Sequence, residues 1–267
     1  AWNFLLCRTI DFSMIRHGLI LILLIAASCT KNTDEAQTYH GREKIALIKE
    51  QIIAFSDSIN TLVKGSIEQE SLIYTINDYS FHVTRYVRGS DVSLYIEHGY
   101  SASSGRVENR YYLKNGKVVL YSHYLNNPQS LVPYKLVREF YDAGELLLSD
   151  HKTAKTADEL DSTAFVRRIA RRTDRNTDIR TLNEAVYQRG AFNLSLEGIT
   201  QYPGAKYLIL SSNKVNSYRA ALLIKKEDAL IKSVIADPEK YRGRKVDLDW
   251  KLEEQNQALY VSGRLRY

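Results

Sequence analysis

The chain has 267 residues and a formal net charge of +6, and 44% of its residues are hydrophobic and 25% charged. These fractions are typical of a globular protein, which argues against a disordered chain. Its two cysteines, Cys7 and Cys29, leave no pair for a disulfide after residue 29. Cysteine nucleophiles and cysteine-ligated metals are therefore excluded from the segment that follows.

The N-terminal region contains a short basic segment followed by an apolar run. Arg16 precedes residues 18–27, which are apolar, and small residues lead into Cys29. An apolar run of this length is too short to cross a hydrocarbon layer as a helix, which needs about 20 residues. The pattern is that of a secretory signal peptide.

The end of this run resembles the lipobox of bacterial lipoproteins. The residues are Ala26-Ala27-Ser28-Cys29, and the resemblance implies cleavage before Cys29 and lipidation of its side chain. We interpret residues 14–28 as the signal peptide and residues 1–13 as an upstream non-native extension that precedes Met14.

Residues 29–41 are polar and are expected to form a flexible tether. Thr30, directly after the cysteine, resembles the outer-membrane class of lipoproteins, and the acidic pair Asp34-Glu35 resembles that of surface-exported lipoproteins of Bacteroidota. The resemblance therefore implies a location in the bacterial cell envelope, at the outer membrane. Whether the protein faces the periplasm or the cell surface stays open.

Residues 42–65 are predicted to form an amphipathic helix. Apolar residues recur at spacings of three and four, and Gly65 stands where a helix commonly ends. The stripe fits either a helix packed on a sheet or an oligomerising stalk of three heptads. Its members are Ile45, Ile48, Ile52, Phe55, Ile59 and Leu62.

Residues 66–155 are predicted to form an antiparallel β domain. Asn115-Gly116 is a strong signal for a tight hairpin, and Ala143-Gly144 occupies the same place in a second copy of the unit, 28 residues later. His123 and His151 also fall at matching places in the two copies. The expected strands are 72–76, 79–88, 91–98, 106–113, 117–124, 134–141 and 145–150.

Residues 156–189 are predicted to form a basic helix and a linker. Thr156 and Glu159 make a capping box that opens a helix extending to about Arg172, and the polar residues 173–189 would follow as the linker. The region is rich in arginine, which suggests either a solvated helix face or a patch for an anionic partner. The candidate patch consists of Arg167, Arg168, Arg171, Arg172 and Arg175.

Residues 190–267 are predicted to form three strands, a helix and two strands. This element order resembles the OB-fold, a small Greek-key barrel, and another small β barrel and an α+β sandwich are the alternatives. Gly198 marks a bulge, and alternation predicts that Leu259, Val261 and Leu265 point into the core while Tyr260 faces water. The expected fold class is mostly β with flanking helices (α+β): an antiparallel β meander domain followed by a small OB-like β-barrel.

No sequence motif carries an enzymatic signature. The histidines lack metal-ligand spacing, no serine lies in a nucleophile elbow, and the glycines form no phosphate loop, so we predict no catalytic residue, cofactor or metal. An exposed subset of the 19 tyrosines could stack on sugar rings or contact a protein.

The expected function is a non-enzymatic binding or assembly module for a protein or glycan partner, lipid-anchored through acyl chains on Cys29. One alternative is a carbohydrate- or peptidoglycan-directed enzyme or enzyme accessory. The other is an oligomeric structural lipoprotein. Nucleic acid is not expected as a partner outside the cytoplasm.

Overall fold

A computed structural model describes residues 31–168, 175–212, 214, 216–253 and 257–266, with side chains from residue 43 onward. By its contacts the chain divides into two units, Ala1–Gln51 and Ile52–Tyr267. The structure is mostly β with a few helices, as the sequence predicts, and its large sheet is not closed into a barrel. Within the described residues, no helix is both long and apolar enough to cross a membrane.

The secondary structure consists of helices α1 to α5 and strands β1 to β14, together with 3-10 turns at Val63–Gly65 and Gly190–Phe192. The helices are α1 (Lys31–Leu62), α2 (Ala157–Ser162), α3 (Arg175–Val186), α4 (Ala229–Ala236) and α5 (Pro238–Tyr241). The strands of the N-terminal half are β1 (Ile67–Glu70), β2 (Tyr74–Ile76), β3 (Tyr79–Arg88), β4 (Asp91–Ser101), β5 (Gly105–Lys114), β6 (Lys117–Asn126), β7 (Tyr134–Asp142) and β8 (Glu145–Ala154). The remaining strands are β9 (Val166–Arg168), β10 (Ser195–Tyr202), β11 (Ala205–Ser211), β12 (Arg219–Ile224), β13 (Val246–Glu253) and β14 (Gln257–Leu265).

Helix α1 begins at Lys31, so residues 31–41 are helical and not the flexible tether that the sequence predicted. The segment Lys31–His40 contains neither glycine nor proline, so nothing in it interrupts a helix. In the unit that starts at Ile52, Ile52 and Ile59 are buried, and the Tyr112 hydroxyl donates a hydrogen bond of 3.0 Å to the Asn60 side chain. This part of the apolar stripe therefore packs on the protein's own sheet.

Strands β3 to β8 form an antiparallel meander of three hairpins with the same irregularity. In each hairpin the second strand carries one extra residue close to the turn, which makes a β-bulge. The extra residues are Ser93, Val119 and Leu147. The predicted two-copy unit thus has a third copy at β3–β4. In this copy the glycine of the turn, Gly89, stands at the first of the two central positions, whereas Gly116 and Gly144 stand at the second.

The turn residues show why these hairpins form. Asn115 and Gly116 have φ angles of +53° and +73°, and Ala143 and Gly144 have φ angles of +50° and +92°. Two consecutive positive φ angles define the turn whose twist matches that of the flanking strands. The predicted hairpins at both places are confirmed.

Strand β12 joins the meander to the C-terminal strands. Arg219 and Ala220 pair antiparallel with β2, whereas Leu223 and Ile224, on the other half of β12, pair in parallel with β14. The remaining edge of β12 pairs with β11, which pairs with β10. The sheet is therefore continuous from β10 to β9 within the unit Ile52–Tyr267.

The region between the two sets of strands differs from its prediction. Helix α2 starts as the capping box predicts, with the Glu159 amide donating to the Thr156 hydroxyl at 3.1 Å, but it ends at Ser162 instead of continuing to Arg172. Strand β9 follows instead, and its extended backbone pairs with β8. Just before β9, the ring of Phe165 stacks on Arg138, whose guanidinium carbon lies 3.4 Å from the ring centroid.

The predicted linker contains helix α3, which the polar composition of 173–189 concealed. Leu182, Ala185 and Val186 of this helix are buried in the core. The Tyr74 hydroxyl donates a hydrogen bond of 3.0 Å to the carbonyl of Ala185. Helix α3 is therefore packed against the sheet.

In the last hairpin, the predicted orientation of two residues is wrong. Val261 is 51% exposed and Tyr260 is buried, because a bulge between β13 and β14 leaves Val261 as an extra, unpaired residue. The Tyr260 hydroxyl donates to the Asp228 carboxylate at 2.7 Å. The predicted bulge at Gly198 is confirmed by a shift of register between Leu196 and Gly198.

Candidate ligand-binding cavity

Register brings a group of polar and aromatic side chains together on one face of the meander. His82 of β3 lies opposite His98 of β4, and His98 lies opposite Glu108 of β5. In the next row Tyr100 lies opposite Arg106. Because alternate residues of a strand share a face, these five side chains project to the same side of the sheet.

A cavity of about 440 Å³ opens at this place, within the range of small-ligand sites. We call it the histidine cavity. Its lining residues are Ile73, Ser80, Phe81, His82, His98, Gly99, Tyr100 and Arg106.

The two histidines form the most unusual pair in this cavity. Their rings stack with centroids 5.0 Å apart, and His82 is 6% exposed. Burial, together with the neighbouring His98, lowers the pKa of His82 to about 4. Burial also lowers the pKa of His98, and the Glu108 carboxylate offsets part of that shift. Both rings are therefore neutral at pH 7, and each can donate one hydrogen bond and accept one.

The rim of the histidine cavity combines an aromatic ring with a cation. Tyr100 is 60% exposed, and the Arg106 guanidinium is exposed beside it. Glu108 is the nearest carboxylate along β5. Its Oε1 accepts a 2.6 Å hydrogen bond from Nε of Arg110, and its Oε2 lies 3.4 Å from Nδ1 of His98. The charge of Glu108 is thus already compensated, whereas that of Arg106 faces solvent.

Gly99 leaves room for the side chain of Tyr79 on the face of the sheet opposite the cavity. A Cβ atom at position 99 would lie 2.0 Å from the hydroxyl oxygen of Tyr79. That hydroxyl instead passes over Gly99 and donates a 2.7 Å hydrogen bond to the Glu97 carboxylate on the opposite face of the sheet. A side chain at position 99 would displace Tyr79.

The opposite face carries a polar network that is satisfied within the chain. The Asn109 amide nitrogen donates to Glu97 at 3.1 Å, so its oxygen must be the acceptor from Tyr121 at 2.9 Å and from Nδ1 of His123 at 2.8 Å. Neutral His123 therefore carries its proton on Nδ1. Burial, then Lys135 and Arg175, lower the pKa of His123. The network ties β4, β5 and β6 together.

The predicted arginine patch is not assembled as one surface in the described residues. Arg167 and Arg168 are exposed on β9, at the edge of the sheet. Arg175 is half-buried, with Nη2 2.6 Å from Glu139 and Nη1 2.8 Å from Asp178, and its guanidinium lies 3.7 Å above the Tyr121 ring. The charge of Arg175 is therefore paired within the protein. A patch for an anionic partner at β9 stays a prediction. The other two members, Arg171 and Arg172, lie outside the described residues.

Two further site predictions concern the lipid and metals. Cys29 and the signal peptide at 14–28 lie outside the described residues. Among the side chains that the structure describes, no group of three or more His, Cys, Asp or Glu residues could hold a metal ion.

Sequence reasoning did not single out the cavity residues. His82 and His98 are 16 positions apart, and their only sequence signal is that both lie on predicted strands joined by a short turn. Strand alternation alone would have placed His98 and Tyr100 on one face, but it could not place His82 opposite His98.

Comparisons of the chain with protein-family models, with curated proteins and with solved structures gave no match.

Proposed function

We propose that this protein is a lipid-anchored protein of the bacterial envelope and acts as a non-enzymatic binding or assembly module for a protein or glycan partner. The anchor rests on the signal-peptide pattern and on Cys29. The outer membrane is the proposed site, from the residues that follow the cysteine.

The observation that supports binding is the group of polar and aromatic side chains at the histidine cavity. On the opposite face of the meander, the buried Asn109 donates to the half-buried Glu97, and Nδ1 of His151 is buried there without a partner among the described residues. On the cavity face, His82 is buried in a cavity wall without a hydrogen bond to any described residue, beside an exposed ring and an exposed cation. Among the described residues, the fully buried side-chain atoms without a partner belong to Ser149, His151 and Ser212, so the unbonded nitrogens of His82 are reached from the cavity and are available to a ligand there.

The same cavity favours binding over glycoside hydrolysis. Hydrolysis of this kind ordinarily uses two carboxylates that flank the scissile bond. The eight residues that line the cavity include no carboxylate, and the adjacent Glu108 is engaged by Arg110 and His98. A binding role needs no such pair.

The anchor is tested by labelling with a fatty acid in a bacterial host. The full chain should incorporate the label, and Cys29→Ser should not. Unlabelled full chain would contradict the lipid anchor.

The binding role is tested by affinity isolation from the native cells with the full chain and Tyr100→Ala. The matched control is Tyr202→Ala, since Tyr202 is equally exposed, at 59%, on the edge strand β10. We expect a protein or glycan to be retained by the full chain and by Tyr202→Ala, and to be lost with Tyr100→Ala. Equal retention by all three proteins would show that the cavity is not the binding site.

We also propose that residues 190–267 form an OB-like module. The strands follow the order β10-β11-β12-β14-β13, with β12 and β14 parallel and α4 between β12 and β13. Two hydrogen bonds at Leu196, from its amide to the Arg244 carbonyl at 2.9 Å and from the Gly243 amide to its carbonyl at 2.8 Å, bring the start of β13 beside β10. The amides of Leu196 and Gly243 should exchange slowly with solvent, and fast exchange at both would contradict this proposal.

A further inference from the structure

The histidine cavity offers hydrogen bonds that the described chain does not use. His82 is 6% exposed, and neither of its ring nitrogens bonds to a described residue. A neutral imidazole donates at one nitrogen and accepts at the other, so its ideal partners are groups that can do both. Hydroxyl groups meet this requirement, and sugars carry several of them.

The rim offers a surface for a ring. Tyr100 presents its side chain to solvent next to a cavity of about 440 Å³, and its hydroxyl adds a polar end to an apolar face. The apolar lining from Ile73 and Phe81 continues this surface inward. The aromatic and apolar surfaces can contact the C–H groups of a ligand, and the neutral imidazole can bond to its hydroxyls. A sugar ring carries both kinds of group.

The charges around the cavity favour an anion. Arg106 lies directly opposite Tyr100 and forms no ion pair with a described carboxylate. The neighbouring carboxylate on β5, Glu108, is paired with Arg110 at 2.6 Å. Guanidinium groups pair with carboxylates through charge-assisted hydrogen bonds.

We propose that the histidine cavity binds an acidic glycan, with a sugar ring against Tyr100, its hydroxyls on His82 and its carboxylate on Arg106. This inference rests on the proposed binding function and narrows it to one class of ligand. Arg106 would then select acidic over neutral sugars, while Tyr100 would contribute to binding of both.

The test uses isothermal titration calorimetry with the full chain. The probes are an oligomer of galacturonic acid and the same oligomer with its carboxyl groups reduced to alcohols. We expect the acidic oligomer to bind at least about tenfold more tightly, since a single charge-assisted contact is worth that factor. Arg106→Gln should remove the preference, and Tyr100→Ala should weaken both probes.

The control variant is Lys117→Gln, which makes the same change of net charge at the turn of the β5–β6 hairpin. It should keep the preference for the acidic oligomer. Equal affinity of the unchanged protein for the two probes would overturn the assignment to acidic glycans. An acidic preference that survives Arg106→Gln would overturn the role of Arg106.

The failure of this inference can be distinguished from the failure of the proposed function. If neither oligomer binds but a protein partner is retained through Tyr100, the acidic-glycan inference is overturned and the binding function stands. If nothing is retained by the full chain in either experiment, both are overturned.

Discussion

Acid should destabilise this protein through His82. The folded state holds the pKa of this histidine at about 4, because burial and the adjacent His98 disfavour the charged form, whereas an unfolded chain has the ordinary value of 6.5. Between these two values the unfolded state binds more protons than the folded state. Stability is therefore fully present above about pH 6.5 and is lost as the pH falls toward 4.

The size of this loss follows from the two pKa values. The full separation corresponds to about 3 kcal/mol, of which about 2 kcal/mol is already lost at pH 5.0 relative to pH 7.5. His98 and His123, whose pKa values are also lowered, act in the same direction. The unchanged protein should thus lose more stability in acid than His82 alone accounts for. The contribution of His82 is therefore obtained by comparing the unchanged protein with a variant that lacks this histidine.

Urea unfolding at pH 7.5 and pH 5.0 measures this difference. His82→Gln should lose about 2 kcal/mol less stability between the two pH values than the unchanged protein. Val83→Ala is the control, because Val83 is fully buried on the same strand and does not titrate. It should lower the free energy of unfolding equally at both pH values. An identical pH dependence for His82→Gln and the unchanged protein would refute the reasoning.

Two further changes test buried contacts by urea unfolding. Gly99→Ala should displace the Tyr79 side chain and cost about 1–3 kcal/mol, and it should still destabilise Tyr79→Phe, because the new Cβ would also lie 2.5 Å and 2.7 Å from two ring carbons that phenylalanine keeps. Arg175→Met should cost about 3–5 kcal/mol, since it leaves the Glu139 carboxylate buried without its partner. The exposed ion pair of Arg219 is the comparison, and Arg219→Met should cost less than about 1 kcal/mol. Equal costs for the two arginine changes would contradict the burial argument.

The strands could be predicted because their signals are local. Alternating apolar residues and turns such as Asn115-Gly116 depend on neighbours in the sequence. Strand β9 and helix α3 were missed for the opposite reason. Val166–Arg168 is mostly charged and becomes a strand only by pairing with β8, and α3 is mostly polar and shows its apolar face only at Leu182, Ala185 and Val186.

The cavity could not be predicted because it depends on register. His82 meets His98 only with the pairing that the β3–β4 turn and the bulge at Ser93 impose. A slip of one residue would send His82 to the face that carries Glu97. A sequence pattern fixes which residues alternate on one strand, but it does not fix this pairing.

Acid should affect the histidine cavity in two ways that can be measured separately: ligand affinity through His98 and stability through His82. Protonation of His98 would add a positive charge beside Arg106. The carboxylates of an acidic glycan stay ionised above about pH 5, so the glycan should bind more tightly as the pH falls. The titratable and charged groups that face His98 are Glu108, Arg110, Arg106 and the stacked ring of His82, and only Glu108 favours its protonation. Because burial lowers the pKa of His98 from its ordinary value of 6.5, affinity should be higher at pH 5.5 than at pH 7.5, while protonation of His82 limits stability. Titration of the acidic oligomer at both pH values tests this. His98→Gln should bind with little pH dependence, and a rise that persists in this variant would assign the effect to another group.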